Sequence, residues 1–103
     1  MARRYALWVC ALALAAAGCG GADGPAARGQ QVYLAQCIAC HNLDPTREGT
    51  VGPAIKGSSR ELLEAKVLGG TYPPGYAPKR DTAVMQPLPQ LAPAIPDLAT
   101  YLE

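Results

Sequence analysis

The sequence predicts an all-α fold, a small domain of three or so helices joined by Pro/Gly-rich loops and wrapped around something its own side chains do not supply. Three observations carry this expectation. No stretch alternates apolar and polar residues with the period of two that a half-buried strand needs. Three short segments instead carry apolar residues at helical spacing, each with a start or stop signal. And the folded part is poor in large apolar side chains, with no Trp or Phe after residue 18 and only four Tyr.

The first segment is not part of that domain. Residues 1–4 (MARR) are basic, and residues 5–17 are uncharged and dominated by Ala, Leu, Val and Trp. This run falls short of the roughly 20 residues a membrane-crossing helix needs, and it reads as a secretory signal peptide spanning residues 1–18. It closes on LAAAGC (residues 14–19). Small residues before a cysteine resemble the lipobox of bacterial lipoproteins, although Ala16 stands where such sequences place Leu. The resemblance implies that Cys19 carries a diacylglyceryl group as the acylated first residue. The plainer alternative is ordinary cleavage that leaves Cys19 a spare thiol. Several acyl chains on one residue would anchor the chain stably where a single chain is marginal.

Residues 19–24 (CGGADG) then read as a flexible tether and residues 25–103 as the domain. Without residues 1–18 the chain has 85 residues with seven Lys+Arg, Arg3 and Arg4 having gone, and eight Asp+Glu, for a net charge of −1. Nucleic-acid binding wants a basic face, and this composition does not provide one. Of the four cysteines, Cys10 leaves with the signal and Cys19 is assigned to lipid, so Cys37 and Cys40 alone remain. No framework of disulfides is available, although an exported protein would be permitted one. A domain of this size without staples is marginal, and a large embedded cofactor would supply the missing core.

Each helix has its own local reason. Asp23 or Gly24 can start the first, with Pro25 in its first turn, and residues 26–36 carry Gly29, Val32 and Tyr33 on one side. Residues 42–57 hold Pro45, Gly49, Gly52, Pro53 and Gly57 and read as loop. Ser58 and Glu61 have the spacing of a capping box, Leu62, Leu63, Ala65, Lys66, Val67 and Leu68 favour helix, and Gly69 with Gly70 ends it. Residues 71–90 contain five prolines, which exclude a helix interior or a central strand. A last short helix begins at Pro93 or Pro96, with Asp97 in its first turn and Leu98, Tyr101 and Leu102 as its packing face.

The chemistry sits at the end of the first helix, in QCIACHN (residues 36–42). Cys37, Cys40 and His41, the only histidine, fall within five residues. Structural zinc needs four ligands, and no second Cys/His pair exists. A thioredoxin-like redox pair follows a strand in a βαβ pattern, whereas here a helix precedes. A plain disulfide leaves His41 unexplained. Cys-X-X-Cys-His is the attachment signature of c-type haem: two cysteines three apart meet the two vinyl groups on one porphyrin edge, and the adjacent histidine lies under the iron as proximal ligand.

With that signature, residues 26–103 resemble a class I, single-haem c-type cytochrome. RGQQVYLAQCIACH (residues 28–41) resembles the family's first helix, with Gly29 and Tyr33 at the positions that meet the C-terminal helix. VGPAIKG (residues 51–57) resembles the family's Gly-Pro segment, which implies that the Pro53 carbonyl accepts a hydrogen bond from His41. Its alternative is a plain turn. VMQPLP (residues 84–89) resembles the family's Met-X-Pro loop. With one histidine, and Met1 lost with the signal, Met85 is the one thioether left for the sixth position. A methionine there could otherwise simply fill a gap. In YPPGYAPKRDT (residues 72–82), Tyr72 and Tyr76 are candidates to cover a haem face or bond a propionate, and Lys79 or Arg80 to pair with propionate charge. The alternative is a solvated loop.

Two features depart from the family pattern. Prolines in LAPAIPDLATYL (residues 91–102) stand where relatives place acidic helix-starting residues, so a shortened last helix is expected. Lysine is scarce, so docking would rest on apolar contact near Ile38, Ala39 and Val51. The resemblance implies one covalent haem c and a single-electron carrier, not an enzyme, working between redox proteins at a membrane or in the periplasm with no small-molecule substrate. The alternatives are a haem subunit of a periplasmic dehydrogenase or oxidase, and a haem-based ligand sensor with a weakly filled sixth position.

Overall fold

The computed structural model describes residues 23–103. The expected signal peptide, the Cys19 expected to be lipidated and most of the expected tether lie outside the described residues. The described chain is helical, with three α-helices and no strand.

Helix α1 runs over Pro25–Gln36. Gly24, extended at φ −71° and ψ 162°, is its N-cap, and Pro25 stands in the first turn, where its absent N–H is not missed. Its buried residues, Gly29 and Tyr33, are four apart and so share one face. That face packs on the last helix, α3, which spans Ile95–Leu102. A Cβ on Gly29 would lie 2.6 Å from the Asp97 carbonyl carbon and 2.9 Å from the Tyr101 Cβ, so only glycine permits this approach. Tyr33 is fully buried, and its ring meets Tyr101 at 5.5 Å and 52°, an inclined arrangement favoured by the ring quadrupoles. Arg28 pairs with Asp97 at 3.0 Å across the same crossing.

Helix α2 spans Arg60–Leu63 and continues as a π-helical turn over Glu64–Leu68. Its cap is Ser59, whose side chain accepts the Leu62 N–H at 3.1 Å, not Ser58 as the box spacing implied. Ser58 is spent on the preceding turn, donating its hydroxyl and its N–H to the Ile55 carbonyl at 2.6 and 3.1 Å. The helix ends at Gly69 and Gly70, as expected, and Gly70 takes the left-handed conformation at φ 68°.

The prolines shorten the last helix. A 3₁₀ segment over Pro89–Ala94, not foreseen from the sequence, leads into α3 with Pro93 inside it. Pro89, Pro93 and Pro96 each lack an N–H, so a full α ladder runs only after the last of them. Helix α3 has eight residues with Pro96 in its first turn, and Ile95, Leu98 and Leu102 are buried there.

Seven residues make the core: Tyr33, Leu63, Val67, Leu91, Ile95, Leu98 and Leu102. The loop after α1 is built rather than loose. The Asn42 side chain accepts the Asp44 N–H at 2.9 Å, and Asp44 accepts both the N–H and hydroxyl of Thr46. Those Thr46 bonds, the side-chain one foremost, hold the Asp44 carboxyl below its usual range. The buried Pro45 offers its carbonyl to the N–H groups of Ile55 and Lys56, both at 2.9 Å. Its two ends are thereby pinned together, and residues 49–53 are turned back on the end of α1.

Candidate functional site

The end of α1 carries the cysteine–histidine cluster through one more turn. The N–H groups of Cys40 and His41 both point to the Cys37 carbonyl, at 3.3 and 2.9 Å. The Cys40 carbonyl in turn accepts from Val51 at 3.3 Å and Gly52 at 2.9 Å, and Gly49 donates to Gly52 at 2.9 Å. This clip lays Gly52 against the imidazole: a Cβ there would sit 2.5 Å from the His41 Cε1 and 2.6 Å from Nδ1. The next residue then brings its carbonyl to the ring, with the Pro53 oxygen 2.9 Å from His41 Nδ1. A carbonyl only accepts, so Nδ1 carries the proton and Nε2 keeps its lone pair.

His41 opens onto a cleft of two lobes that share Cys40, His41, Ile55, Leu63, Val67 and Met85. The first lobe is open to solvent at its mouth, and its lining is mainly apolar. Pro53, Tyr72, Tyr76, Lys79 and Arg80 line this lobe, and Cys37 lines the second. The two lobes thus bring together Cys37, Cys40, His41, Pro53, Tyr72, Tyr76, Lys79, Arg80 and Met85, whereas Ile38 lines neither.

The wall of the first lobe is ordered by its own turn. Pro74 and Gly75 occupy the centre of a turn closed by the Tyr76 N–H on the Pro73 carbonyl at 3.1 Å, with Gly75 at φ 79°, the type II arrangement of Pro then Gly. Tyr72 and Tyr76 therefore stack at 5.4 Å with planes 13° apart, and Lys66 Nζ lies 4.5 Å over the Tyr72 ring. Lys79 donates to the Ala54 carbonyl at 2.8 Å, and Arg80 pairs with Glu48 at 3.0 Å. Three cationic residues, Lys66, Lys79 and Arg80, line this lobe, and no Asp or Glu lines either one.

Sequence reading missed Lys66 and the apolar wall of Leu63 and Val67. Their spacing was legible as one helix face, but nothing local says which neighbour that face meets.

The donor set fits a haem. Cys37 and Cys40 are free thiols at the rim, His41 offers an oriented imidazole nitrogen, and Met85, half-buried, offers a thioether from the opposite segment of chain. The walls are apolar, and the cations match acidic propionates. The rival readings fit less well. Among the described residues no three of His, Cys, Asp and Glu gather as a metal-ion site. Burial pushes the Cys37 thiol up to about 11, opposite to the lowered value of a redox-active thiolate.

The residues expected at a docking face are accessible: Ile38 is 41% and Val51 47% exposed. Among the described residues no helix is long and apolar enough to cross a membrane.

Comparison of the chain with protein-family models, with curated proteins and with solved structures returned no match.

Proposed function

We propose that this chain is a single-electron carrier, an exported monohaem c-type cytochrome. Cys37 and Cys40 would hold the haem through thioethers, and His41 and Met85 would be its axial ligands. The observation that supports this most is the His41 ring: its Nδ1 is tied to Pro53 at 2.9 Å, and it shares one apolar cleft with Met85. Bound there, the haem would supply a one-electron couple between Fe(II) and Fe(III).

The chain's own residues account for the rest. Pro53 holds the imidazole in one tautomer and makes Nε2 a better donor. Met85 would hold the iron through its thioether, which would raise the potential relative to two nitrogen ligands and disfavour binding of a small ligand. Leu63, Val67 and Ile55 keep water from the buried side of the cleft. Lys66, Lys79 and Arg80, which line the first lobe, could offer positive charge to the propionates, although Arg80 already pairs with Glu48. The accessible Ile38 and Val51 beside Cys40 form an apolar contact for a redox protein. Acylation of Cys19 would confine the carrier near a membrane and raise its concentration around partners there.

The test is the absorption spectrum and carbon monoxide binding of purified wild type beside Met85→Ala. The wild type should carry covalent haem, be low-spin and resist carbon monoxide when reduced, while Met85→Ala changes spectrum and binds it. A wild type that binds carbon monoxide readily would favour a ligand sensor. An unaltered low-spin spectrum in Met85→Ala would remove Met85 as ligand.

A further inference from the structure

Met85 sits in a segment with almost no backbone support of its own. Between the Tyr76 N–H and the Leu88 N–H, no backbone–backbone hydrogen bond joins residues 77–87 to another described residue. The near side of the segment is tied by side chains alone, Lys79 to Ala54 and Arg80 to Glu48. The far side is tied differently. Gly70, at φ 68°, approaches Pro87 so closely that a Cβ would lie 3.1 Å from its Cγ. One residue on, the Leu88 N–H donates to the Val67 carbonyl at 2.6 Å.

That carbonyl is available because it lies in the last turn of the helix, which ends at Leu68. In an unbroken ladder the Thr71 N–H would take Val67. Gly70 still donates to Lys66 four residues back at 3.1 Å, but after the left-handed Gly70 the Thr71 N–H reaches six back to Ala65 at 3.0 Å. The turn at Gly70 thus leaves the Val67 carbonyl to the Leu88 N–H, three residues from Met85.

We propose that the end of α2 is the positioning device for Met85: Gly70 against Pro87, and the Val67 carbonyl on Leu88, set how firmly Met85 occupies the cleft. The inference rests on Met85 being the sixth ligand. Gly70 and Pro87, which line neither lobe of the cleft, would then govern how often the sixth position opens, because apparent affinity for an external ligand scales with the fraction of open molecules.

The experiment is carbon monoxide titration of reduced holoprotein in wild type, Met85→Ala, Gly70→Ala, Pro87→Ala with Gly70→Ala, and Gly57→Ala. Gly57 is the control, since it is also left-handed at φ 85° but a Cβ there would meet nothing within 4 Å. Gly70→Ala should bind carbon monoxide roughly tenfold more tightly than wild type, about 1.4 kcal/mol, with Gly57→Ala near wild type. Removing the Pro87 ring as well should restore wild-type resistance, or restore holoprotein yield if Gly70→Ala alone does not accumulate. If the double variant is no better than the single, or Gly57→Ala opens the site as much as Gly70→Ala, the positioning role is overturned while Met85 ligation stands. If Met85→Ala itself changes nothing, both readings fall.

Discussion

His41 is held on two sides of its ring by consecutive residues, and neither uses a side chain. Gly52 lies flat against the imidazole because it has none, and Pro53 accepts from Nδ1 through its carbonyl. Gly52→Ala should therefore displace the ring, whereas most glycine replacements in a loop are tolerated. The expected result is holoprotein with a weakened or high-spin iron signal, or a several-fold loss of haem attachment, read from absorption per mole of protein. Tyr33 is the other residue whose chemistry is set by its surroundings. It is fully buried, it donates its hydroxyl to the Asn42 carbonyl, and burial pushes its phenol up to about 12. The folded state thus keeps a proton that the unfolded chain loses near pH 10. Stability should be undiminished by this group below pH 10, then fall by roughly 2 to 3 kcal/mol as pH rises to 12. Denaturant unfolding between pH 9 and 12, with Tyr33→Phe lacking that decline, checks the sign.

Among the elements, the crossing of α1 and α3 bears most of the fold. α3 has eight residues, too few to persist alone, so its helical form depends on the face it lays against Gly29 and Tyr33. Gly29→Ala would drive a methyl group into the Asp97 peptide and should destabilise by roughly 1–3 kcal/mol, seen as a lower denaturant midpoint with an unchanged slope. Several features of these elements were legible in advance. Pro25 and the paired Gly69 and Gly70 act through backbone rules that need no partner. The capping residue of α2 was not, because Ser58 and Ser59 are chemically alike. The choice between them was made by Ile55, whose carbonyl takes the Ser58 hydroxyl. The 3₁₀ segment before α3 was missed for a related reason: proline density says where a helix cannot run, not which tighter turn replaces it.

For the molecule as a whole, the cleft is the consequence of an undersized core. Cys37, Ile55, Met85 and Leu88 pack against the seven core residues only in part, and Leu63, Val67, Leu98 and Leu102 face both the core and the cleft. A chain unable to fill that space should lose cooperative stability. Cys37→Ser with Cys40→Ser, which removes both proposed attachment points, should give a protein with a broad, low thermal transition by circular dichroism. A sharp transition equal to that of the wild type would mean that the core is sufficient by itself. A ligand that binds only the folded state stabilises it by mass action, and a covalent one cannot leave.

The sequence by itself determined the helices, the turns and the identity of the chemical groups, because Pro, Gly, capping residues and the Cys37–Cys40–His41 spacing act over a few residues of backbone. It also named Met85, as the one thioether available. The tertiary structure alone decided what those groups meet. It laid Gly52 on the His41 ring, turned Leu63, Lys66 and Val67 toward one cleft, gathered Lys66, Lys79 and Arg80 on one wall, and ended α2 so that Val67 reaches Leu88. Each is a contact between residues distant in sequence, set by how helices and loops pack and by which backbone groups remain unpaired, and no local pattern encodes it.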